Sequence, residues 1–422
     1  MEKENKSTVE QDSTPQQEEQ EAKKNNTTQS AKKRTGKTAQ IVTAEAVQAE
    51  EVPTIPIGSL QTIEALQPEI AVHSVASLNS VNMAVPLVVQ PAEYRRSLNE
   101  WIQIWIDGAR FKYIPLSLMP VILGSVLAWT NTITSAHLVG IFDISLFIGS
   151  IIAVILLQIG ANLINDYYDY LKGVDTSNTF GPGGLIEQGH IKPTNVLKTG
   201  LVFLGIGAII GLVVSLEGGP FVCLFGLIAL LCAYFYSATK YSLSNLGLTE
   251  LVSFLIFGPC LTLGAYMIQT KGSVSNDVFL YSLPLGLLAA AIVHTNNMRD
   301  LEGDVHAGRH TLASILGLTW SRVIYIALVI LAYAVIAVRG IPHGAPHLIL
   351  ITFWTLPVAV VNITGAIRTQ IAAGFQQIML QTRSILIAFS ILLIVALLFS
   401  ALLPALSPML PNPALPEISL PF

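Results

Sequence analysis

The chain has 422 residues, 52% of them hydrophobic and only 12% charged, with 23 basic and 27 acidic side chains and a formal net charge of −4. Soluble globular domains carry about a quarter charged residues, so the shortage here excludes an ordinary water-soluble protein. The small net charge, with no basic stripe interleaved with aromatics, excludes a nucleic-acid partner.

The charges are unevenly spread. Residues 1–92 form a polar, low-complexity extension with no apolar run long enough to span a bilayer. Its first half is rich in Glu, Lys, Gln, Thr and Asn, and cannot bury enough apolar surface to offset its ordering entropy; it is expected to be disordered. Residues 93–113 change character. Leu98, Trp101, Ile102, Trp105 and Ile106 recur at helical spacing, with Arg95, Arg96, Glu100 and Asp107 elsewhere. This pattern predicts a short amphipathic helix at the membrane interface, where indole rings sit well.

From residue 114 onward nine apolar runs follow, at about 114–131, 138–164, 199–216, 221–238, 250–269, 278–297, 321–339, 346–366 and 384–403. Each approaches the 17–25 residues that cross the hydrocarbon core. Residues 114–405 are therefore expected to be an all-α polytopic membrane domain of nine transmembrane helices, and 406–422 a short tail. Only Glu217, Gly218 and Gly219 separate the third and fourth runs, which predicts a tight helical hairpin. Cys223, Cys232 and Cys260 all fall in apolar segments without metal-site spacing and read as packing residues. Basic residues collect on alternate loops, among them Arg110, Lys112, Lys172, Lys240, Arg299 and Arg309, whereas the other side keeps Lys271 and Arg339. The positive-inside rule then places the N-terminus and the basic loops in the cytoplasm, in a plasma-membrane protein.

Two of the inside segments hold carboxylates where an apolar span ends. Asn162, Asp166 and Asp169 stand at i, i+4 and i+7, on one helical face, and Lys172 and Asp175 follow. After the sixth span, Asn296 and Arg299 precede Asp300 and Asp304, again spaced by four, with His306, Arg309 and His310 beyond. Ionisable groups at membrane depth are functional candidates. Two carboxylate clusters cannot both stay ionised in a low dielectric without counter-charge. Mg²⁺ supplies it, being usually bound by one or two carboxylates together with substrate phosphates. The pattern points to a metal-bridged diphosphate; ordinary capped helix ends are the alternative for either cluster taken alone.

At these residues the chain resembles the UbiA superfamily of intramembrane prenyltransferases, over about residues 100–405. The runs NDYYDYLKGVDT (165–176), GPGGLIEQGHIKP (181–193) and NNMRDLEGDVHAGRHTLASILG (296–317) are most similar to the branch that prenylates 1,4-dihydroxy-2-naphthoate on the way to menaquinone. The stretch 236–251 is similar to that branch with two departures: Thr249 replaces a usual Gly, and Lys240 supplies a YxxxK pattern seen in the ubiquinone-pathway relatives. The resemblance implies nine helices around a central cavity. It implies Mg²⁺ held by Asn162, Asp166, Asp169 and Asp175 on one side and by Asp300 and Asp304 on the other, with Asp166, Asp169, Asp300 and Asp304 as the catalytic carboxylates. Diphosphate contacts fall to Asn162, Lys172, Tyr236, Lys240, Asn296, Arg299 and Arg309. The implied partners are a polyprenyl diphosphate, an aromatic acceptor and the bilayer. Tyr167, Tyr168, Tyr170 and Tyr236 either face an allylic cation or anchor at the interface, and His294 reads chiefly as a helix-packing residue. Another acceptor (a chlorophyllide, homogentisate or 4-hydroxybenzoate) and, in a different class, a cation-coupled transporter remain as rival readings.

Overall fold

The computed structural model describes residues 96–133, 142–173, 185–186, 188–238, 242–341 and 346–406. Residues 1–95 and 407–422, with the calls of a disordered extension and a C-terminal tail, lie outside the described residues, as do Asp175, Lys240 and Gly181–Gly184. Among the described residues every regular element is helical.

The first helix, α1 (Leu98–Gly108), starts at a capping box: Ser97 Oγ accepts from the Glu100 amide, and the Glu100 carboxylate accepts from the Ser97 amide at 2.7 Å. Leu98, Trp101, Ile102 and Ile106 remain exposed, and Trp105 packs against a small cluster that includes Ile159, Leu163 and Leu185. A 3₁₀ turn leads into α2 (Pro115–Thr132). Then come α3 (Ile144–Lys172), α4 (Pro193–Glu217), α5 (Pro220–Phe235) and α6 (Thr249–Leu255). A π-helical turn, Ile256–Cys260, joins α6 to α7 (Leu261–Gln269). The rest is α8 (Asn276–Arg299), the short α9 (Leu301–His306), α10 (Leu312–Gly340), α11 (Leu356–Arg368) entered through the 3₁₀ stretch His347–Thr355, and α12 (Ala372–Leu406).

Eight of these segments are long and apolar enough to cross a membrane. The fourth expected run, 221–238, is instead the shorter α5 of 16 residues, because the chain turns at Tyr236. The hairpin between α4 and α5 forms as expected, with Gly219 at φ 84°.

The core is built around α8, whose span is 72% buried, against 22% for α3. It packs on α2, α6, α7, α10 and α12. Lipid tails are as apolar as leucine, so helices in a membrane associate by close packing. Gly286 on α8 faces Gly258 of the π turn so closely that a Cβ there would lie 2.6 Å from the Phe254 carbonyl oxygen. Pro259 sits inside the π turn; lacking an N–H, it favours a break in the regular ladder at that point. These features leave α3, α5, α6 and α8 bordering one interior space.

Candidate active site

Helix α3 runs unbroken through the first motif and stops at Gly173, whose φ of 67° suits the left-handed C-cap. Because it is helical, Asn162, Asp166 and Asp169 share a face as the spacing requires. Asp166 is fully buried and Asp169 nearly so. The second motif is not one helix. Helix α8 ends at Arg299, Asp300 leaves helical geometry (φ −93°, ψ 5°), and α9 begins at Leu301. The Asp304 amide still donates to the Asp300 carbonyl at 2.8 Å, so the i, i+4 register survives the break.

Both motifs meet at a cavity of about 430 Å³. Its charged end is bordered by Asn162, Asp169, Asn296, Arg299, Asp300, Asp304 and Arg309, with Tyr236 and Arg110 beside them. Its other walls are mainly apolar, from Val154, Leu157, Ala229, Ile256, Phe257 and Leu261, with Ser117, Gln158 and Ser253 among them. One space thus offers an anion-handling end and a greasy end.

Three of the four key carboxylates sit beside arginines. Asp166 lies 3.8 Å from Arg110, Asp304 lies 3.5 Å from Arg309, and Arg299 forks onto Asp300 with two contacts of 2.6 Å. Arg299 also donates to Gln376 of α12 at 2.5 Å. The fourth carboxylate, Asp169, accepts from Asn165. Burial pushes the Asp304 carboxyl up to about 6 against the pull of Arg309, and Asp300 and Asp169 push it the same way as burial. Its Oδ2 is buried and has no hydrogen-bond partner among the described residues.

That orphaned oxygen, with Asp169 and Asp300 on the same cavity, fits a hard cation that takes oxygen ligands. Among the described residues no three His, Cys, Asp or Glu side chains converge into a complete metal site. Mg²⁺ usually keeps water and phosphate oxygens among its ligands, so a partial protein set is the arrangement that suits a metal arriving with a diphosphate.

Not every expected residue reaches the cavity. The Lys172 ammonium donates to the Ser237 carbonyl (2.8 Å) and the Ser242 hydroxyl (3.1 Å), tying down the third loop away from the cavity wall. Asn162 borders the space but spends its amide N–H on the Ala109 carbonyl. Asp166 stands behind the wall, reaching the cavity through Arg110. Of the four tyrosines, Tyr236 lines the cavity, Tyr170 is exposed, and Tyr167 packs on the small cluster beneath α1. His294 is fully buried in a hydrogen-bonded network. Asp175 and Lys240 lie outside the described residues.

Three residues at or beside the site carry no signal of that role in the sequence. Arg110 bears only on orientation there, yet it borders the cavity in left-handed backbone geometry (φ 56°) that non-glycine residues rarely adopt. Asn297 is an unmarked neighbour of Asn296. Gln376, on the last helix, carries no local motif at all.

Comparison with known proteins agrees with this architecture. Residues 117–375 match the UbiA prenyltransferase family. The 1,4-dihydroxy-2-naphthoate octaprenyltransferase of Bacillus subtilis (strain 168) is 28% identical over 284 residues, 67% of this chain and 88% of that one. Its namesake from Haemophilus influenzae is 32% identical over 246 residues, covering 56% and 77%. The apo structure of a UbiA homolog from Aeropyrum pernix K1 superposes with a TM-score of 0.51 at 17% identity, over 66% of this chain and 97% of that one, a likeness of fold.

Proposed function

This chain belongs to the UbiA prenyltransferase family and is a multi-pass membrane prenyltransferase; we propose that it transfers a polyprenyl chain from its diphosphate to 1,4-dihydroxy-2-naphthoate, a step toward menaquinone, with Mg²⁺ as cofactor. The observation that carries the reading is the two-ended cavity: buried carboxylates and arginines at one end, apolar helix walls at the other. The two relatives described above, both named for this acceptor, match across 77–88% of their own length.

The diphosphate head goes to the charged end. Arg309 and Arg110 face its oxygens, while Arg299 holds the Asp300 carboxylate in place through its two-pronged contact. Asp169, Asp300 and Asp304 would hold Mg²⁺, with Asp166 acting through Arg110; Asp175 and Lys240 keep the roles implied by their motifs. When bound, the metal draws negative charge from the departing pyrophosphate. The C–O bond between the prenyl carbon and the diphosphate breaks, the aromatic ring carbon forms a C–C bond to that carbon, and the ring carboxylate leaves as CO₂. An allylic cation is destroyed by water, so the apolar walls from Ile256, Phe257 and Leu261 protect it, with the Tyr236 ring on the cavity surface.

The test is turnover by the purified protein in lipid vesicles, with labelled prenyl diphosphate and each of four acceptors. Prenylated dihydroxynaphthoate formed only with Mg²⁺ supports the proposal. Preference for a chlorophyllide, homogentisate or 4-hydroxybenzoate would replace the acceptor, and ion flux without prenyl transfer would overturn the reaction.

A further inference from the structure

Beneath the cavity floor lies a polar network that the chemistry above does not use. His294 of α8 is fully buried, with Nδ1 2.8 Å from Glu250 Oε1 and Nε2 2.9 Å from the Ser321 carbonyl oxygen. A carbonyl only accepts, so Nε2 carries a hydrogen. One further proton lies between Nδ1 and Glu250. Thr249 Oγ1 donates to Glu250 Oε2 at 2.8 Å. Asn297 Nδ2 then donates twice, to Thr249 Oγ1 and to Glu250 Oε1, each at 3.0 Å.

This arrangement settles which way the Asn297 amide points. The two ends of an amide look alike to shape and are told apart by their partners. Turned around, Asn297 would set its carbonyl oxygen against the Glu250 carboxylate. Both N–H groups are therefore spent on the buried side, and Asn297, only 3% exposed, borders the cavity with Oδ1. Asn296 lies about 100° around the helix and donates toward Asp300 at 3.2 Å, facing the charged end. Asn297 shares its side of α8 with Val293, opposite Val252 and Ser253 of α6, where the walls are mainly apolar. A lone pair backed by Glu250 repels diphosphate oxygens and attracts a hydrogen-bond donor.

We propose that Asn297 contacts the aromatic acceptor, its Oδ1 accepting a hydrogen bond from a ring hydroxyl, and that Thr249, Glu250 and His294 are positioning residues that impose this orientation. The proposal rests on the prenyl-transfer reading and extends it to how the acceptor is recognised. A phenolic O–H that donates to a fixed carbonyl gives electron density to its ring, which favours attack by the ring carbon, and no proton need leave. Specificity follows as well, because a site built to pair with a hydroxyl rejects an analogue that lacks it.

The test uses the full chain in vesicles, with dihydroxynaphthoate and its two monohydroxy analogues, each missing one hydroxyl. Asn297→Leu is expected to raise KM for dihydroxynaphthoate at least about tenfold. KM for the prenyl diphosphate and the Mg²⁺ half-saturation should stay within about twofold. With one of the two analogues the penalty should vanish, since that analogue lacks the paired hydroxyl. Glu250→Gln supplies the second variant: with Nε2–H held by the Ser321 carbonyl, a neutral His294 needs a donor at the atom where Asn297 needs an acceptor, one end of an amide cannot be both, and Asn297 is released to turn. It is expected to reproduce the acceptor-selective rise in KM, and it carries the test if Asn297→Leu does not fold. Equal loss with all three acceptors, or a shift in the prenyl diphosphate or Mg²⁺ dependence instead, overturns the proposal. Failure of the wild-type protein to use dihydroxynaphthoate would instead strike the acceptor proposed above, and the same comparison would be made with 4-hydroxybenzoate and benzoate.

Discussion

Asp300 and Asp304 are four residues apart and do different work, which makes them separable. Asp300 is the counter-charge of Arg299, whose side chain is 1% exposed. Removing one partner of a buried pair strands the other, at a cost of about 3–5 kcal/mol. Asp300→Asn is thus expected to lose both activity and thermal stability in detergent. Asp304 is raised from 3.8 to about 6 by burial. A carboxyl raised by folding binds its proton more tightly in the folded state, so its contribution to stability is complete below about 4 and is lost as pH rises through about 6. Asp304→Asn mimics the protonated form. In metal-free protein at pH 7 it should melt no lower than wild type, while activity falls by at least the roughly 10–100-fold that weakened metal sites show. Equal melting losses in the two variants would refute the distinction. The same raised carboxyl predicts a pH effect on the metal. Below about 6 Mg²⁺ must displace a proton from Asp304, so its half-saturating concentration should climb as pH falls from 7 to 5, toward about tenfold per unit. A flat profile would remove Asp304 from the ligand set.

At the scale of elements, the contact between α8 and the π turn holds the cavity open. Ile256 and Phe257 of that turn line the apolar end, while Asn296 and Asn297 of α8 border the polar end. The two halves of the site are thus registered through the Gly258–Gly286 crossing. A Cβ on Gly286 would meet the Phe254 carbonyl at 2.6 Å and the Gly258 Cα at 3.1 Å, both backbone atoms that cannot rotate aside. Gly286→Val is expected to cost at least the roughly 1–3 kcal/mol of overpacking, seen as a lower detergent melting temperature, and to raise KM for both substrates together. An unchanged melting temperature would show that the helices slip past each other freely. Span length and hydropathy act locally, which makes these elements legible in the sequence. The first motif's helical face was legible for the same reason: α3 runs straight through it. The break at Asp300 was not, because nothing in Arg299-Asp300-Leu301 signals a loss of helix; it arises where the Arg299 side chain folds back on its neighbour and reaches Gln376. The position of the Lys172 ammonium is not legible in the sequence for a related reason. Its four-carbon stem lets the charge follow the third loop's carbonyls, and spacing along the helix does not report where a flexible ammonium ends.

Across the described residues the contacts of lysine and arginine side chains divide between the two ends of the bundle. At the site end, Arg322 binds the Thr369 carbonyl, Arg383 binds the Lys112 carbonyl, and Arg110, Arg299 and Arg309 surround the cavity. At the other end, Lys271 pairs with Glu217, Arg339 with Asp277, and Gln269 exchanges two hydrogen bonds with the Asp143 backbone. The arginine-rich end is the one that loop charge assigns to the cytoplasm, and on the proposed function it is the end that would receive an anionic diphosphate. Single reporter cysteines test this, in a background with Cys223, Cys232 and Cys260 replaced. His306→Cys reports the site end and Lys271→Cys the other; both positions are exposed, and the Lys271–Glu217 pair, at 55% and 51% exposure, contributes little to stability. In intact cells a membrane-impermeant maleimide should label Lys271→Cys and spare His306→Cys until the membrane is permeabilised. The reverse pattern would put the carboxylates outside, away from any cytoplasmic prenyl diphosphate, and the orientation would have to be inverted.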